Sequence, residues 1–335
     1  MKQSESFRQA IAAHAILLPI DAEKGEGVAL ARRYGVYAYP TFVLASAEGE
    51  VLDCWLGFGE ATPFLETLAE AAAAPVPLSE RRRQFRKAPT AAAAAKIAEL
   101  EQFGGKFGEA LAWYRRAEEL GSETPLGPAI LETIARGQRS GLFDETALFE
   151  PAQRVMADPR SDATALSETV RLLDEATRDS AKRGLYLDAL KTGAARLTEN
   201  PRPANEDRRA RAALLAEHAL LVEGQPAAAL EWRRQSLAEG WQEDAAALNE
   251  LAWWCVERKI ALAEAEGYAR RGVSLAASDA EKANVLDTLA ELRAAQGDAT
   301  EALDLIREAL RLTPDSDYLK QQLARFEGVA AGGSN

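Results

Sequence analysis

The residues from Ala283 to Pro314 read A-N-V-L-D-T-L-A-E-L-R-A-A-Q-G-D-A-T-E-A-L-D-L-I-R-E-A-L-R-L-T-P. Apolar residues recur every three or four positions on both sides of Gly297, which predicts two amphipathic helices joined by a tight turn. Ala302 and Ala309 are small residues at positions where two helices would cross closely, and Pro314 ends the unit. The stretch therefore predicts a helix pair that packs through small side chains.

This pattern closely resembles the tetratricopeptide repeat, a helix pair of about 34 residues. Further copies can be followed through one small residue on each second helix, at intervals of 36 to 42 residues. Those residues are Ala110, Ala147, Ala189, Ala229, Ala265 and Ala302. We predict about six degenerate repeats over residues 91–328, with a last helix from Tyr318 to Glu327 that caps the apolar end, and a disordered tail over residues 329–335.

Strand-like sequence is confined to the first sixty residues, which lie within a first predicted domain of residues 1–74. After a helix at the amino terminus, the pattern predicts a buried strand at Ile16–Ile20, a short helix that ends at Gly35, a hairpin of Thr41–Ala45 and Val51–Leu56, and a helix from Thr62, its N-cap, to Ala73. Residues 75–90 begin with Pro-Val-Pro, which predicts a linker followed by the helix that leads into the repeats.

The order of these elements resembles the carboxy-terminal half of the thioredoxin fold. The resemblance is carried by L-P-I-D at Leu18–Asp21, by Y-G-V-Y-A-Y-P-T at Tyr34–Thr41, by the E-G-E-V hairpin turn and by Gly57 after the last strand. In that family the proline at the position of Pro40 is cis. The residue before it, here Tyr39, offers its backbone to an extended substrate peptide.

The cysteines that give thioredoxins their redox activity are missing. The family carries a C-x-x-C turn at the start of the helix before the L-P-I-D strand, and here that helix begins almost at Met1. Cys54 and Cys255 are the only cysteines, and we expect Cys54 to be a small buried apolar side chain. Either the chain starts at an internal methionine and a longer product supplies the strand and the cysteines, or the domain is degenerate and has re-paired its strands.

The composition argues against several classes of function. With 52 Asp and Glu against 40 Lys and Arg, the net charge of −12 would repel nucleic acid and anionic membranes. No apolar run reaches the roughly 18 residues of a membrane span. We expect a cytoplasmic protein, or a periplasmic one if an upstream signal is missing. The two cysteines and two histidines are far apart in the sequence, so we expect no metal and no cofactor.

Repeats of this kind commonly hold peptides on the face formed by their first helices. In the repeats that bind the carboxylate tails of heat-shock chaperones, this face carries Lys, Asn and Arg. The corresponding positions here are Arg211, Leu214 and His218 in the fourth repeat, Asn249 and Trp253 in the fifth, and Asn284, Asp287 and Glu291 in the last. Such an aromatic and acidic face favours a basic or apolar segment, with Trp253 as its anchor. The plainer alternative is that Trp253 packs against Trp254.

The predicted fold class is α/β plus all-α: a truncated thioredoxin-like domain followed by a helical solenoid. Bacterial proteins that join these two parts resemble redox-active or redox-dead co-chaperones, so the resemblance implies a protein-binding scaffold of that kind. The competing hypothesis is a thiol-disulfide oxidoreductase whose C-x-x-C motif lies upstream of Met1. Under the binding hypothesis there is no catalytic residue. The candidate contacts to a protein or peptide are then Tyr39, Pro40, His218, Asn249, Trp253, Asp287 and Glu291.

Overall fold

The computed structural model describes residues 5–36, 39–59, 61–73, 75–178, 180–199 and 207–332. This part of the chain is mostly helical, with one two-stranded antiparallel sheet near the amino terminus. The chain divides into two compact units. The first holds Met1–Arg160 and Leu172–Ser180, and the second holds Ser161–Arg171 and Ala181–Asn335.

The first unit begins with the sheet and continues into helices. Its elements are α1 (Glu5–Ala12), α2 (Glu26–Arg33), β1 (Thr41–Ala45), β2 (Val51–Leu56), α3 (Ala61–Ala73), α4 (Leu78–Lys87), α5 (Ala91–Phe103), α6 (Phe107–Glu119), α7 (Gly127–Arg139), a 3-10 turn (Glu145–Leu148) and α8 (Phe149–Ala157). The helix α9 (Ala163–Thr177) contributes residues to both units.

Within the described residues of the second unit, all regular elements are helices. Its elements are α10 (Arg183–Glu199), α11 (Arg208–Leu221), α12 (Pro226–Gln235), a 3-10 turn (Trp241–Glu243), α13 (Ala245–Arg258), α14 (Leu262–Leu275), α15 (Asp279–Ala295), α16 (Ala299–Leu312) and α17 (Asp317–Gly332). Two helices that each begin a helix pair, α13 and α15, start at side-chain caps. The Asp244 carboxylate accepts from two backbone N–H groups of α13, and the Ser278 hydroxyl accepts from one backbone N–H group of α15.

An aromatic cluster joins α1, the hairpin and α3. The Phe42 ring lies 5.8 Å from the Trp55 ring and 4.7 Å from the Phe64 ring. Phe7 of α1 packs against the same cluster and is buried. Both predicted hairpin strands are confirmed at the predicted residues, and the Tyr39–Pro40 bond is cis, as the thioredoxin resemblance implied.

The predicted buried strand at Ile16–Ile20 is wrong. The segment has no regular secondary structure, and Ile16 and Leu18 are 97% and 72% exposed. The described residues contain only the β1–β2 sheet, so no neighbouring strand is present to satisfy the backbone groups of this segment. An apolar sequence becomes a buried strand only when such a partner exists.

Two element ends also differ from the predictions. Because α3 begins at Ala61, Thr62 lies inside its first turn and is not its N-cap. That cap position falls on Glu60, which lies outside the described residues. The helix α17 continues to Gly332, so residues 329–332 are helical and not a disordered tail, while residues 333–335 lie outside the described part of the chain.

The hairpin is joined to the helices that follow it in the first unit. Lys96 of α5 donates to the buried carboxylate of Asp53 at 2.8 Å, and Arg81 of α4 reaches the Leu52 carbonyl at 3.5 Å. Gly35 has a φ of +66°, and a Cβ there would lie 2.7 Å from the Phe103 carbonyl. The contacts of Lys96 and Arg81 hold the hairpin against α4 and α5. The turn after α2 approaches the end of α5 so closely that Gly35 cannot be replaced by a residue with a side chain.

Four helices, α6, α10, α14 and α16, bury three residues each at positions i, i+4 and i+7. In α16 these are Ala302, Ile306 and Ala309, all fully buried. The matching sets are Ala110, Tyr114 and Ala117 in α6; Tyr186, Leu190 and Gly193 in α10; and Ala265, Ala269 and Gly272 in α14. Each set forms one stripe along its helix, and the stripe faces the core.

The alignment through small residues is wrong at two of its six positions. Ala147 lies half-buried in the 3-10 turn before α8, where Leu148 and Ala152 are buried instead. Ala189 is half-buried in α10, and Tyr186 takes the first place in the buried stripe. The predicted frame is off by one residue at Ala147 and by three residues at Ala189, because a large residue, Leu148 or Tyr186, fills the position that alanine fills elsewhere.

We predict that Ala302→Leu destabilises the chain more than Ala189→Leu. The extra side chain at a fully buried crossing point overpacks the core, at a typical cost of about 1–3 kcal/mol. Ala189 is only half-buried, so the same change there should alter the free energy of unfolding by less than about 0.5 kcal/mol. Thermal melts followed by circular dichroism check this, and equal losses in both variants would contradict the corrected frame.

Candidate functional site

Two adjacent tryptophans in α13 point in different directions. Trp254 is 6% exposed, and its indole N–H donates to Glu217 of α11 at 2.7 Å. The other oxygen of Glu217 lies 2.9 Å from Arg258. Trp253 is 36% exposed. The packing role therefore belongs to Trp254, and about a third of Trp253 stays accessible for contacts outside the helix pair.

The exposed side of α13 is acidic around Trp253. Glu250 and Glu257 precede and follow it by three and four residues, so both carboxylates share its face, and both are exposed. Arg233 forms an ion pair with Glu250. Asn249 lies one turn before Trp253, and its Oδ1 is a buried acceptor without a hydrogen-bond donor in the described part of the chain. The surface thus combines an indole with anionic and acceptor groups.

Asp287 and Glu291 lie one turn apart on α15, where α17 covers them. The Tyr318 hydroxyl donates to Asp287 Oδ2 at 2.8 Å, and Arg325 forms an ion pair with Glu291. Burial raises the pKa of Asp287, and burial followed by the nearby charge of Asp287 raises the pKa of Glu291, against the opposing effect of Arg325. Both predicted carboxylates are present on one face, and both already have partners within the chain.

The binding positions predicted in the fourth repeat lie on α11 and are buried or only partly exposed. Arg211 and Leu214 are buried, and Nδ1 of His218 lies 3.5 Å from the Glu223 carboxylate in the turn after α11. The structure therefore groups Asn249 with Trp253 and Asp287 with Glu291, and it places His218 beside Glu223. Whether His218 contacts a ligand stays a prediction.

Glu217 is the residue of α11 that the sequence analysis missed. A buried dipeptide Leu-Ala occurs in α11, α13 and α15, as Leu215-Ala216, Leu251-Ala252 and Leu289-Ala290. The residue that follows it is Glu217, Trp253 or Glu291, so these three hold equivalent positions. Aligning the chain on this dipeptide would have found Glu217.

The second candidate region is the loop at Tyr39 and Pro40. Tyr39 is 61% exposed, and the Pro40 carbonyl accepts from the Gly57 N–H at 2.8 Å, which holds the loop to the end of β2. Residues 37 and 38 lie outside the described part of the chain. A role for Tyr39 in peptide contact stays a prediction.

Neither cysteine lies in an activating environment. Cys54 is half-buried on β2, where burial and then the neighbouring Asp53 charge raise its pKa to about 12. Cys255 is buried in α13, and burial raises its pKa to about 11. Among the described residues, no group of three or more Cys, His, Asp and Glu side chains is arranged to hold a metal ion.

Comparison with known proteins leaves the family open: no protein-family model matches the chain, and no curated protein matches it either. Within the described part of the chain, none of the helices combines the length and the apolar character that crossing a membrane requires.

We predict that both thiols react slowly in the folded chain. With a pKa near 11, about 0.1% of Cys255 is thiolate at pH 8, against roughly a quarter of an ordinary cysteine. Alkylation by iodoacetamide, followed by mass spectrometry, should be far slower than in urea, and insulin disulfide reduction should stay at background. Fast alkylation of folded Cys54 at pH 8 would contradict this assignment.

We predict that Asp287→Asn stabilises the chain, and does so more at neutral than at acid pH. The raised pKa means that the folded chain binds this proton more readily than the unfolded chain, whose value is near 3.8. Wild-type stability therefore falls as pH rises through the window above that value. Asparagine keeps an acceptor for Tyr318 without the charge. Thermal melts between about pH 4 and pH 7 measure the difference between variant and wild type.

Asp298→Asn is the matched control with the opposite sign. The Glu301 N–H and then Arg293 lower the pKa of Asp298, so its contribution is present above the unfolded value and is lost as pH falls. This variant should be less stable than wild type at neutral pH, and the difference in stability should shrink as the pH falls. A loss of stability for Asp287→Asn that does not change with pH would refute the buried-charge explanation.

Proposed function

We propose that this chain is a polypeptide-binding protein whose ligand is basic and contacts the exposed residues of α13 around Trp253 together with the acidic residues of α15. One observation carries the proposal: Trp253 is partly exposed between two carboxylates while its neighbour Trp254 does the packing. An exposed indole on a rigid helix is the kind of residue that anchors protein interfaces, because it buries a large area with little loss of side-chain freedom.

The charge of this face supports a basic ligand. Its carboxylates are Glu250 and Glu257 on α13, which are exposed, and Asp287 and Glu291 on α15, which are largely buried. Glu250 and Glu291 pair with arginines of the same unit, and no lysine or arginine occupies the position of Trp253 in α11 or α15. A lysine or arginine of a partner can lay its aliphatic stem on the indole while its charge faces carboxylates.

The architecture we propose is a thioredoxin-like remnant followed by tetratricopeptide-like repeats, which form a co-chaperone-like scaffold. The repeats draw support from the consecutive helix pairs and from the buried stripes of their second helices. The remnant draws support from the hairpin flanked by α1 and α3. Such repeats supply a surface for chains in extended or helical form.

The oxidoreductase hypothesis gains nothing from the cysteines of this chain. A redox thiol needs a lowered pKa and access to a substrate disulfide. Cys54 and Cys255 both have raised pKa values, and each lies in a different compact unit. Binding is therefore the function that the described residues favour.

We predict that Trp253→Ala weakens the binding of a basic peptide selected from a peptide array. Loss of a central aromatic anchor typically costs about 2 kcal/mol, some thirtyfold in affinity. Calorimetry measures the affinity, and the circular dichroism melt should change little because the side chain is partly exposed. Leu142→Ala is the control, since Leu142 is an exposed apolar residue of the first unit.

Two results would remove the anchor from the proposal. Unchanged affinity for Trp253→Ala is the first. The second is a melting temperature lower by several degrees, which would show that Trp253 belongs to the core.

A further inference from the structure

Three polar residues of α17 form a row over the acidic part of α15. Gln322 donates to the Tyr318 hydroxyl at 2.7 Å, and Arg325 Nε donates to the Gln322 amide oxygen at 2.7 Å. They are spaced at i, i+4 and i+7, so they lie along one side of the helix. The two ends of this polar row contact Asp287 and Glu291.

Other residues hold α17 in place. Leu319 and Phe326 are 4% and 2% exposed, and they pack into the core of α15 and α16 with Ile306. Tyr318 is by contrast about half exposed, and so is the side chain of Arg325. Arg325 is the exposed partner of this pair, whereas the Glu291 side chain is only 17% exposed. A guanidinium of a partner can therefore take the place of Arg325 and keep Glu291 paired while the apolar anchors hold α17 folded.

Asp287 lacks a donor that its position requires. The residue is only 7% exposed, and its Oδ2 accepts from Tyr318. Its Oδ1 is buried and has no hydrogen-bond donor in the described part of the chain. A buried carboxylate oxygen without a donor is unfavourable, so this atom indicates a missing cationic or N–H partner.

We propose that Asp287 and Glu291 form a subsite for an arginine side chain of the bound partner, and that Arg325 fills part of this subsite when no partner is present. The inference rests on the proposed function and names the chemistry of the ligand. A guanidinium has several N–H donors in one plane, which suits two carboxylates one helical turn apart better than an ammonium does. The partner's arginine replaces Arg325 at Glu291 and supplies the donor for Asp287 Oδ1.

The test compares fluorescein-labelled nona-arginine with nona-lysine by fluorescence anisotropy at constant ionic strength. Arg325→Gln removes the internal competitor, so affinity for nona-arginine should rise about fivefold, and by less for nona-lysine. Adding Asp287→Asn to this variant should abolish the gain. The matched control is Arg307→Gln on α16, which makes the same change in net charge at a similarly exposed arginine paired with Asp304 and Glu327. It should change affinity by less than about twofold.

Three results would overturn the subsite. Equal gains for Arg325→Gln and Arg307→Gln would show an effect of net charge alone, and a gain that survives Asp287→Asn would place the arginine elsewhere. If Trp253→Ala weakens the binding of nona-arginine but Arg325→Gln leaves it unchanged, the result supports the proposed binding face and contradicts the arginine subsite. If no variant binds either peptide, both proposals fail. Circular dichroism melts confirm that each variant is folded.

Discussion

The close approach of two helices at a fully buried small residue is the constraint on which the helical part depends. Ala110, Ala265 and Ala302 have no accessible surface, because the neighbouring helix leaves no room for a larger side chain. Close-packed interiors respond strongly to even one added methylene, so such a residue fixes the rotation of its helix. That rotation then decides what the rest of the pair buries and exposes. In the α13 pair it turns Trp254 inward and leaves Trp253 outside.

Buried polar contacts link one helix pair to the next within each unit. In the first unit the amide oxygen of Gln102 in α5 lies 3.1 Å from the Tyr114 hydroxyl of α6 and 2.7 Å from the Thr133 hydroxyl of α7. In the second unit Glu217 joins α11 to α13 through Trp254 and Arg258. Any shift of these helices would break the hydrogen bonds to Gln102 and Glu217 and leave a buried polar group without its partner. The contacts that pack α11 against α13 therefore also fix the orientation of α13 and of its exposed residues.

The sequence was sufficient where local patterns decide the structure. The hairpin strands and the helix pairs follow from turn residues and periodicity, and the cis bond before Pro40 was implied by the thioredoxin resemblance. It failed where the outcome depends on a distant partner. Ile16–Ile20 has the composition of a buried strand but no neighbouring strand in the described residues, and nothing within the segment itself reveals this. The partners of Asp287 and Glu291 lie more than thirty residues away on α17, so no local pattern identifies them.

Hydrogen exchange tests the central claim most directly, namely that the face of α13 and α15 binds a polypeptide. Deuterium uptake of each segment is measured by mass spectrometry with and without a saturating basic peptide from the array. The account predicts slower exchange in α13, α15 and the adjoining turn of α17, with no change in the hairpin of β1 and β2. Protection confined to the hairpin or to the loop at Tyr39, with α13 and α15 unchanged, would contradict it.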